Sequence, residues 1–304
     1  MKLFRKRPRE EGGLGDRAMV AAILVLAKLP WSVALSFGGG VGRLLAVLPF
    51  SKPNRIARIN IALCFPEMPQ GQQRRLARKS LINLGRNVVA GAISWVRELP
   101  EMAAKITVVE NEDLLNKAVA SGRGVIFFSP HMGCWEFINF YLCSRYPLKI
   151  LAKPFGGPEL NALIESGRSR LLGTLAPTNE RGVRALLTSL KRGGMTYLTP
   201  DHVPQSSAGI YAPFFGIRTT TGVLASRLLQ KTGATALAVT CALQPDNTFH
   251  IRFLEVDPEM FDGDIEVAVA ALNRTLEVCI QSAPEQYQWS YRRFKKIEGR
   301  SNPY

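Results

Sequence analysis

The chain has 304 residues, 39 of them Lys or Arg and 24 Asp or Glu, which leaves a formal charge of +15 at neutral pH. Apolar residues make up 46% and charged residues 21%, excluding a disordered or collagen-like chain and leaving length for one large α/β domain or two smaller ones. Five scattered cysteines without a C-x-x-C pair, and only three histidines, argue against a disulfide framework, a cysteine zinc site and a histidine-rich metal centre. The positive excess calls for a negative partner: nucleic acid, anionic lipid, an acidic protein or a phosphorylated substrate.

In chain order, Lys2, Arg5, Lys6, Arg7 and Arg9 precede the apolar run Ala18–Ala27, then Lys28, then Leu29–Phe37. A spanning helix needs about 20 apolar residues. Residues 18–37 meet that, with Lys28 able to snorkel and Pro30 making a broken or interfacial helix an equal alternative. The expectation is a basic N-terminus and membrane anchor over residues 1–50, with the N-terminus cytoplasmic. Residues 51–104 form a second, basic and helical region: Arg55, Arg58, Arg74, Arg75, Arg78, Lys79 and Arg86 alternate with Leu76, Leu81, Ile82, Leu84, Val88 and Val89. This pattern suits a helix beside anionic head groups, or a solvated face packed on a core.

Residues 105–304 read as an α/β catalytic domain. Predicted strands are Ile106–Glu110, Val125–Phe128, Leu148–Leu151, Thr174–Ala176, Met195–Thr199, Thr235–Leu243 and Phe249–Val256. Predicted helices are Asp113–Ala120, Trp135–Arg145, Glu159–Leu172, Arg181–Lys191, Gly222–Lys231 and Ile265–Gln281. The alternation predicts a mixed, mostly parallel sheet with helices on both faces. Gln244-Pro-Asp-Asn247 is too short for a crossover, so the last two strands should be antiparallel.

The stretch richest in chemistry is Gly124-Val-Ile-Phe-Phe-Ser-Pro-His131-Met-Gly-Cys-Trp-Glu136-Phe. His131 falls at the carboxyl end of a buried strand, where sites in open α/β sheets collect. Side chains in a first helical turn point back toward the N-terminus, so Glu136 is expected to accept from one ring nitrogen of His131, leaving the other as a base. The helix N-terminus offers N–H groups to an oxyanion. A packed histidine with a surface glutamate is the bland alternative. Cys134 reads as a small buried residue rather than a nucleophile. Thr219-Thr220-Thr221 reads as an N-cap.

In ordered blocks the chain resembles the late lipid A biosynthesis acyltransferases, within the lysophospholipid acyltransferase superfamily. The blocks are His131-x4-Glu136, Asn60-Ile-Ala-Leu-Cys-Phe-Pro-Glu67, Gly167-Arg168-Ser-Arg170, Leu198-Thr-Pro-Asp201 with Pro213-Phe-Phe-Gly216, and Pro284-Glu-Gln-Tyr-Gln-Trp289 with Arg292-Arg-Phe-Lys295. The resemblance implies acyl transfer from an acyl-carrier-protein thioester to a hydroxyl of a phosphorylated glycolipid, at the cytoplasmic side of a bacterial inner membrane. His131 and Glu136 would be catalytic, without cofactor, metal or acyl-enzyme. Arg168 and Arg170 would clamp phosphate or carboxylate, or else form helix-end ion pairs; Asp201 would orient Arg168 or a backbone turn. The chain departs from the family in having His202 where Gln is common, and Tyr291 where His is common.

The rival readings are a glycosyltransferase holding a metal at Asp262 and Asp264, an acyltransferase of the same superfamily with another lipid acceptor, and a serine hydrolase. The hydrolase lacks a G-x-S-x-G elbow, and no P-loop is present. The Asn273-Arg-Thr275 sequon lies in a predicted helix of a non-secreted chain. A nucleic-acid-binding protein would explain the charge but leaves His131 without purpose and lacks a basic-aromatic motif.

Overall fold

A computed structural model of the chain describes residues 13–204 and 208–304. The basic residues from Lys2 to Arg9 lie outside them.

Four helices come first: α1 (Leu14–Lys28), α2 (Trp31–Val47), α3 (Lys52–Cys64) and α4 (Gln70–Ser94), followed by the short α5 (Leu99–Ala103). Of the two forms expected for residues 18–37, the continuous span does not form and the helix broken at Pro30 does. Leu29 turns extended and Pro30, which cannot continue the ladder, starts a new helix. Among the described residues no single helix is long and apolar enough to cross a membrane; α2 and α3 reach that test only together, bent by 76°. Helix α2 instead crosses α4 closely. Gly38 and Gly85 meet backbone to backbone, and a Cβ on either would fall onto the other's carbonyl oxygen. The inner face of α2 (Ala34, Leu35, Gly38, Gly42) is therefore buried, while Val33, Phe37, Val41 and Leu44 point outward. The apolar stripe of α4 serves the core, with Leu76, Ala77 and Leu81 buried and Arg74, Arg75, Arg78 and Lys79 exposed.

The rest of the chain alternates: β1 (Ile106–Glu110), α6 (Glu112–Ala120), β2 (Val125–Phe128), α7 (Trp135–Cys143), β3 (Lys149–Ala152), α8 (Pro158–Ser169), β4 (Thr174–Pro177), α9 (Glu180–Lys191), β5 (Met195–Leu198). There follow β6 (Gly209–Phe214), β7 (Ile217–Gly222), α10 (Leu224–Thr232), β8 (Thr235–Leu243), β9 (Phe249–Glu255) and α11 (Ile265–Ser282). The main sheet runs β1-β9-β8-β2-β5, with only β8–β9 antiparallel. The parallel pair β3–β4 continues from it through a Leu148–Met195 bridge. Strand β2 is buried on both faces, as its all-apolar sequence requires. Ile126 and Phe128 enter a core shared with α3, α9, α10 and α11, whereas Val125 and Phe127 enter one shared with α2, α6 and α7. The fold is thus mixed α/β, a mostly parallel sheet flanked by helices.

One element departs from expectation. Residues 209–222 form an antiparallel hairpin, so Thr219–Thr221 lie in β7 and cap nothing. Its two-residue turn has Phe215 at φ 49° and Gly216 at φ 74°, the backbone of a type I′ turn.

Candidate active site

His131 sits where β2 leaves the sheet. The loop after Phe128 is pinned at several points: the Gly133 N–H donates to Gln286 O (2.9 Å) and the Cys134 N–H to Cys241 O (3.1 Å). Gly133 has φ +55°, and a side chain there would collide with the Cys241 carbonyl, so the backbone packs directly on β8.

The partner of His131 is Asp201, from the loop after β5. His131 Nδ1 lies 2.6 Å from Asp201 Oδ1, and the His131 backbone N–H donates to Oδ2 (3.1 Å), which also accepts from the Tyr287 hydroxyl (3.1 Å). Asp201 is 1% exposed. Burial alone would raise its carboxyl, but the His131 imidazole and its hydrogen bonds, with the charge of His202, outweigh that and hold it well below the usual carboxylate range. An ionised carboxylate only accepts, so Nδ1 carries a hydrogen, and it is Nε2 that holds the lone pair of the neutral ring.

This corrects the expected His131–Glu136 hydrogen bond. Glu136, 7% exposed on α7, is held by Arg168 through two N–H groups of one guanidinium edge (Nε to Oε2, 3.2 Å; Nη2 to Oε1) and accepts from Trp95 Nε1 (3.0 Å). Burial works against the Arg168 charge, and Glu136 more than offsets it, so Arg168 holds its proton more tightly than a free arginine. Asp201 orients His131, not Arg168. Arg170 donates to the carbonyls of Ser94 (2.9 Å) and Arg97 (2.7 Å), closing the end of α4. The expected oxyanion site also narrows, because the Phe137 N–H donates to the carbonyl of Cys134 (2.9 Å), a residue whose thiol is buried. Burial pushes that thiol far up, which leaves Cys134 an inert core residue.

Two cavities meet at His131. The first, about 600 Å³, lies between α4, α7 and α8 and is walled by Val88, Ala92, Trp95, Phe155 and Ile164, with Glu136 and Arg168 at its base. The second, about 380 Å³, opens between β3, β5 and α10, lined by Leu151, Tyr197, Leu198, His202 and Leu224. Trp135, Lys153 and Arg168 line both. His202 stacks flat on His131, ring centroids 3.7 Å apart and planes 6° apart, and Tyr291 stacks on its far side at 3.7 Å and 12°.

The ligand atoms of His131, Asp201 and His202 lie within 4.8 Å of one another. A zinc ion needs nitrogen lone pairs converging on a point about 2 Å from each. Rings stacked in parallel planes aim their lone pairs past one another, so this trio is not posed as a metal site. Asp262 and Asp264 each give a carboxylate oxygen to a backbone N–H, of Asp264 (2.7 Å) and Glu266 (2.8 Å) respectively: Asp264 caps the start of α11 and Asp262 closes the turn before it.

Trp95, Tyr287, Lys153 and the stacking role of His202 escaped the sequence reading. Two of these carried a signal there: Tyr287 through the C-terminal block, and His202 as a departure from the family pattern. That block is tied to the N-terminal one: Asn60 Nδ2 donates to the carbonyls of Trp289 (2.7 Å) and Tyr291 (2.6 Å). Arg293 is buried beneath β7, donating to Thr220 O and Thr221 Oγ1 (both 2.8 Å).

The chain is 26% identical to the lipid A biosynthesis lauroyltransferase of Escherichia coli, covering 91% of this chain and 90% of that protein. It is 29% identical to the palmitoleoyltransferase of the same organism (88% and 87%) and 24% identical to its myristoyltransferase (100% and 93%). Residues 2–296 match the family described as bacterial lipid A biosynthesis acyltransferase, and the chain belongs to that family.

Proposed function

We propose that the protein transfers a fatty acyl chain from an acyl-carrier-protein thioester to a hydroxyl of a phosphorylated lipid A precursor, at the cytoplasmic face of a bacterial inner membrane. The observation that carries the reading is the Asp201–His131 pair standing where the two cavities meet. His131 Nε2 takes the proton of the acceptor hydroxyl while Asp201 stabilises the imidazolium. The alkoxide adds to the thioester carbonyl, the C–S bond breaks, and the proton passes from His131 to the departing thiolate. A base so placed contributes about 10²–10⁴ in rate.

Charge supports the donor, since +15 favours an acidic carrier. The outer face of α2 supports the membrane. Val33, Phe37, Val41 and Leu44 form an exposed stripe at helical spacing, Phe50 beyond the helix is 96% exposed, and Arg43, Lys52, Arg55 and Arg58 flank them. Such a face sits in an anionic interface without spanning it. The glycosyltransferase reading is disfavoured because Asp262 and Asp264 line neither cavity at His131 and each bonds a backbone N–H before or at the start of α11.

The test is His131→Ala in detergent-solubilised enzyme supplied with acyl-carrier-protein thioester and lipid A precursor. The expected loss is at least about 100-fold; retention of a tenth of the rate overturns the assignment of His131 as base.

A further inference from the structure

A histidine fixed at one nitrogen is not yet fixed in space. The Asp201 hydrogen bond sets the tautomer of His131 and the position of Nδ1, but it lets the ring tilt about the Nδ1···Oδ1 line, which sweeps Nε2 across the cavity mouth. His202 removes that freedom, lying flat on the ring at 3.7 Å with 6° between planes. It is itself backed by Tyr291, whose hydroxyl accepts from the Val203 N–H (3.0 Å) and whose carbonyl is held by Asn60 on α3 (2.6 Å). Trp135 closes another side of His131, edge-on at 5.7 Å.

We propose that His202 is a positioning residue for the His131 base: its ring is an aromatic plate, clamped from behind by Tyr291, that holds the plane of the His131 imidazole and stabilises the imidazolium formed when the hydroxyl proton arrives. The inference rests on the general-base reading above. A cation gains from the face of a neutral aromatic ring a few ångströms away and loses against a second cation. His202 meets the first condition. Burial lowers its affinity for a proton, the neighbouring Asp201 opposing and the His131 charge adding to the effect, so that it titrates at about 4 and is neutral at physiological pH. Its Nε2 is buried and completes no hydrogen bond, Gln288 nearby notwithstanding, so the ring is held by its faces.

That last point makes the idea separable from a merely structural role, because phenylalanine supplies the same face without nitrogen. The experiment compares His202→Phe and His202→Leu in steady-state turnover of acyl-carrier-protein thioester and lipid A precursor, with thermal midpoints measured in parallel. His202→Phe is expected to keep kcat within about threefold of the parent. His202→Leu is expected to lower kcat about tenfold with KM little changed, at a thermal midpoint like that of the Phe variant. A Leu variant within twofold of the parent overturns the proposal, as does a Phe variant as slow as Leu. His131→Ala, assayed beside them, separates the two claims: its retaining activity sinks the base itself, whereas an inactive His131→Ala with a fully active His202→Leu sinks only the plate.

Discussion

Two buried carboxylates lie within the same site and do different work. Asp201 is paired with an imidazole, Glu136 with a guanidinium. A histidine partner can gain and lose a proton near neutral pH, so the Asp201 pair can accept charge during a reaction. An arginine partner is permanently charged, so the Glu136–Arg168 pair is fixed: a brace joining α7 to α8 at the base of the larger cavity, with Trp95, just past the end of α4, as its third point. The chemistry of a carboxylate here is set by its partner rather than by its nearness to the reacting centre.

That contrast can be broken most directly at Asp201. Asp201→Asn keeps the shape but turns an acceptor into a partial donor, so His131 is expected to lose its tautomer and the rate to fall about 10²–10⁴-fold. Turnover of purified enzyme checks this, and a change under tenfold would place the pair outside the chemistry. Glu136→Gln should register first as stability. It strands the Arg168 charge in a buried setting, at a cost of about 3–5 kcal/mol, and a second change, Arg168→Met, should restore much of it; urea unfolding of the single and double variants measures the difference.

Acid should separate the groups by window. The native-state proton affinity of His202 lies below its ordinary 6.5, at about 4, so the unfolded chain binds the extra proton first. Stability is therefore expected to be full above about pH 6.5 and to fall as pH drops toward 4. The Asp201 carboxyl, also depressed, adds its own loss only below about pH 4. His202→Phe should flatten the upper part of a midpoint-versus-pH curve and leave the lower part. The smallest effect is expected at Arg170, whose bonds are to backbone carbonyls at a helix end. Arg170→Ala should cost about 1–2 kcal/mol of stability and leave KM for the phosphorylated acceptor unchanged; a large rise in KM would return Arg170 to the binding site.

Much of the fold was legible along the chain. The strand cores at Ile106–Glu110, Val125–Phe128 and Thr235–Leu243 and the antiparallel last pair follow from short apolar runs and one short turn. The hairpin at residues 209–222 did not show, because Pro213, two phenylalanines and three threonines carry no clean alternation and the turn uses a positive φ at Phe215, which sequence does not advertise. The α2–α4 crossing was hidden for a related reason: glycines read as breakers until a second helix is seen lying against them.

The sequence by itself determined the alternating α/β order, the position of His131 at the end of a buried strand and the family blocks, since each rests on local periodicity or contiguous residues. Only the tertiary structure decided which acid serves His131, that α1 and α2 are two helices rather than one, and that His202 is stacked between His131 and Tyr291. Asp201 lies 70 residues from His131 in the chain. Five-residue spacing made Glu136 the obvious partner, but sheet neighbours bring Asp201 closer: β2 and β5 lie side by side in parallel and end together, so the loops beyond them share the same space.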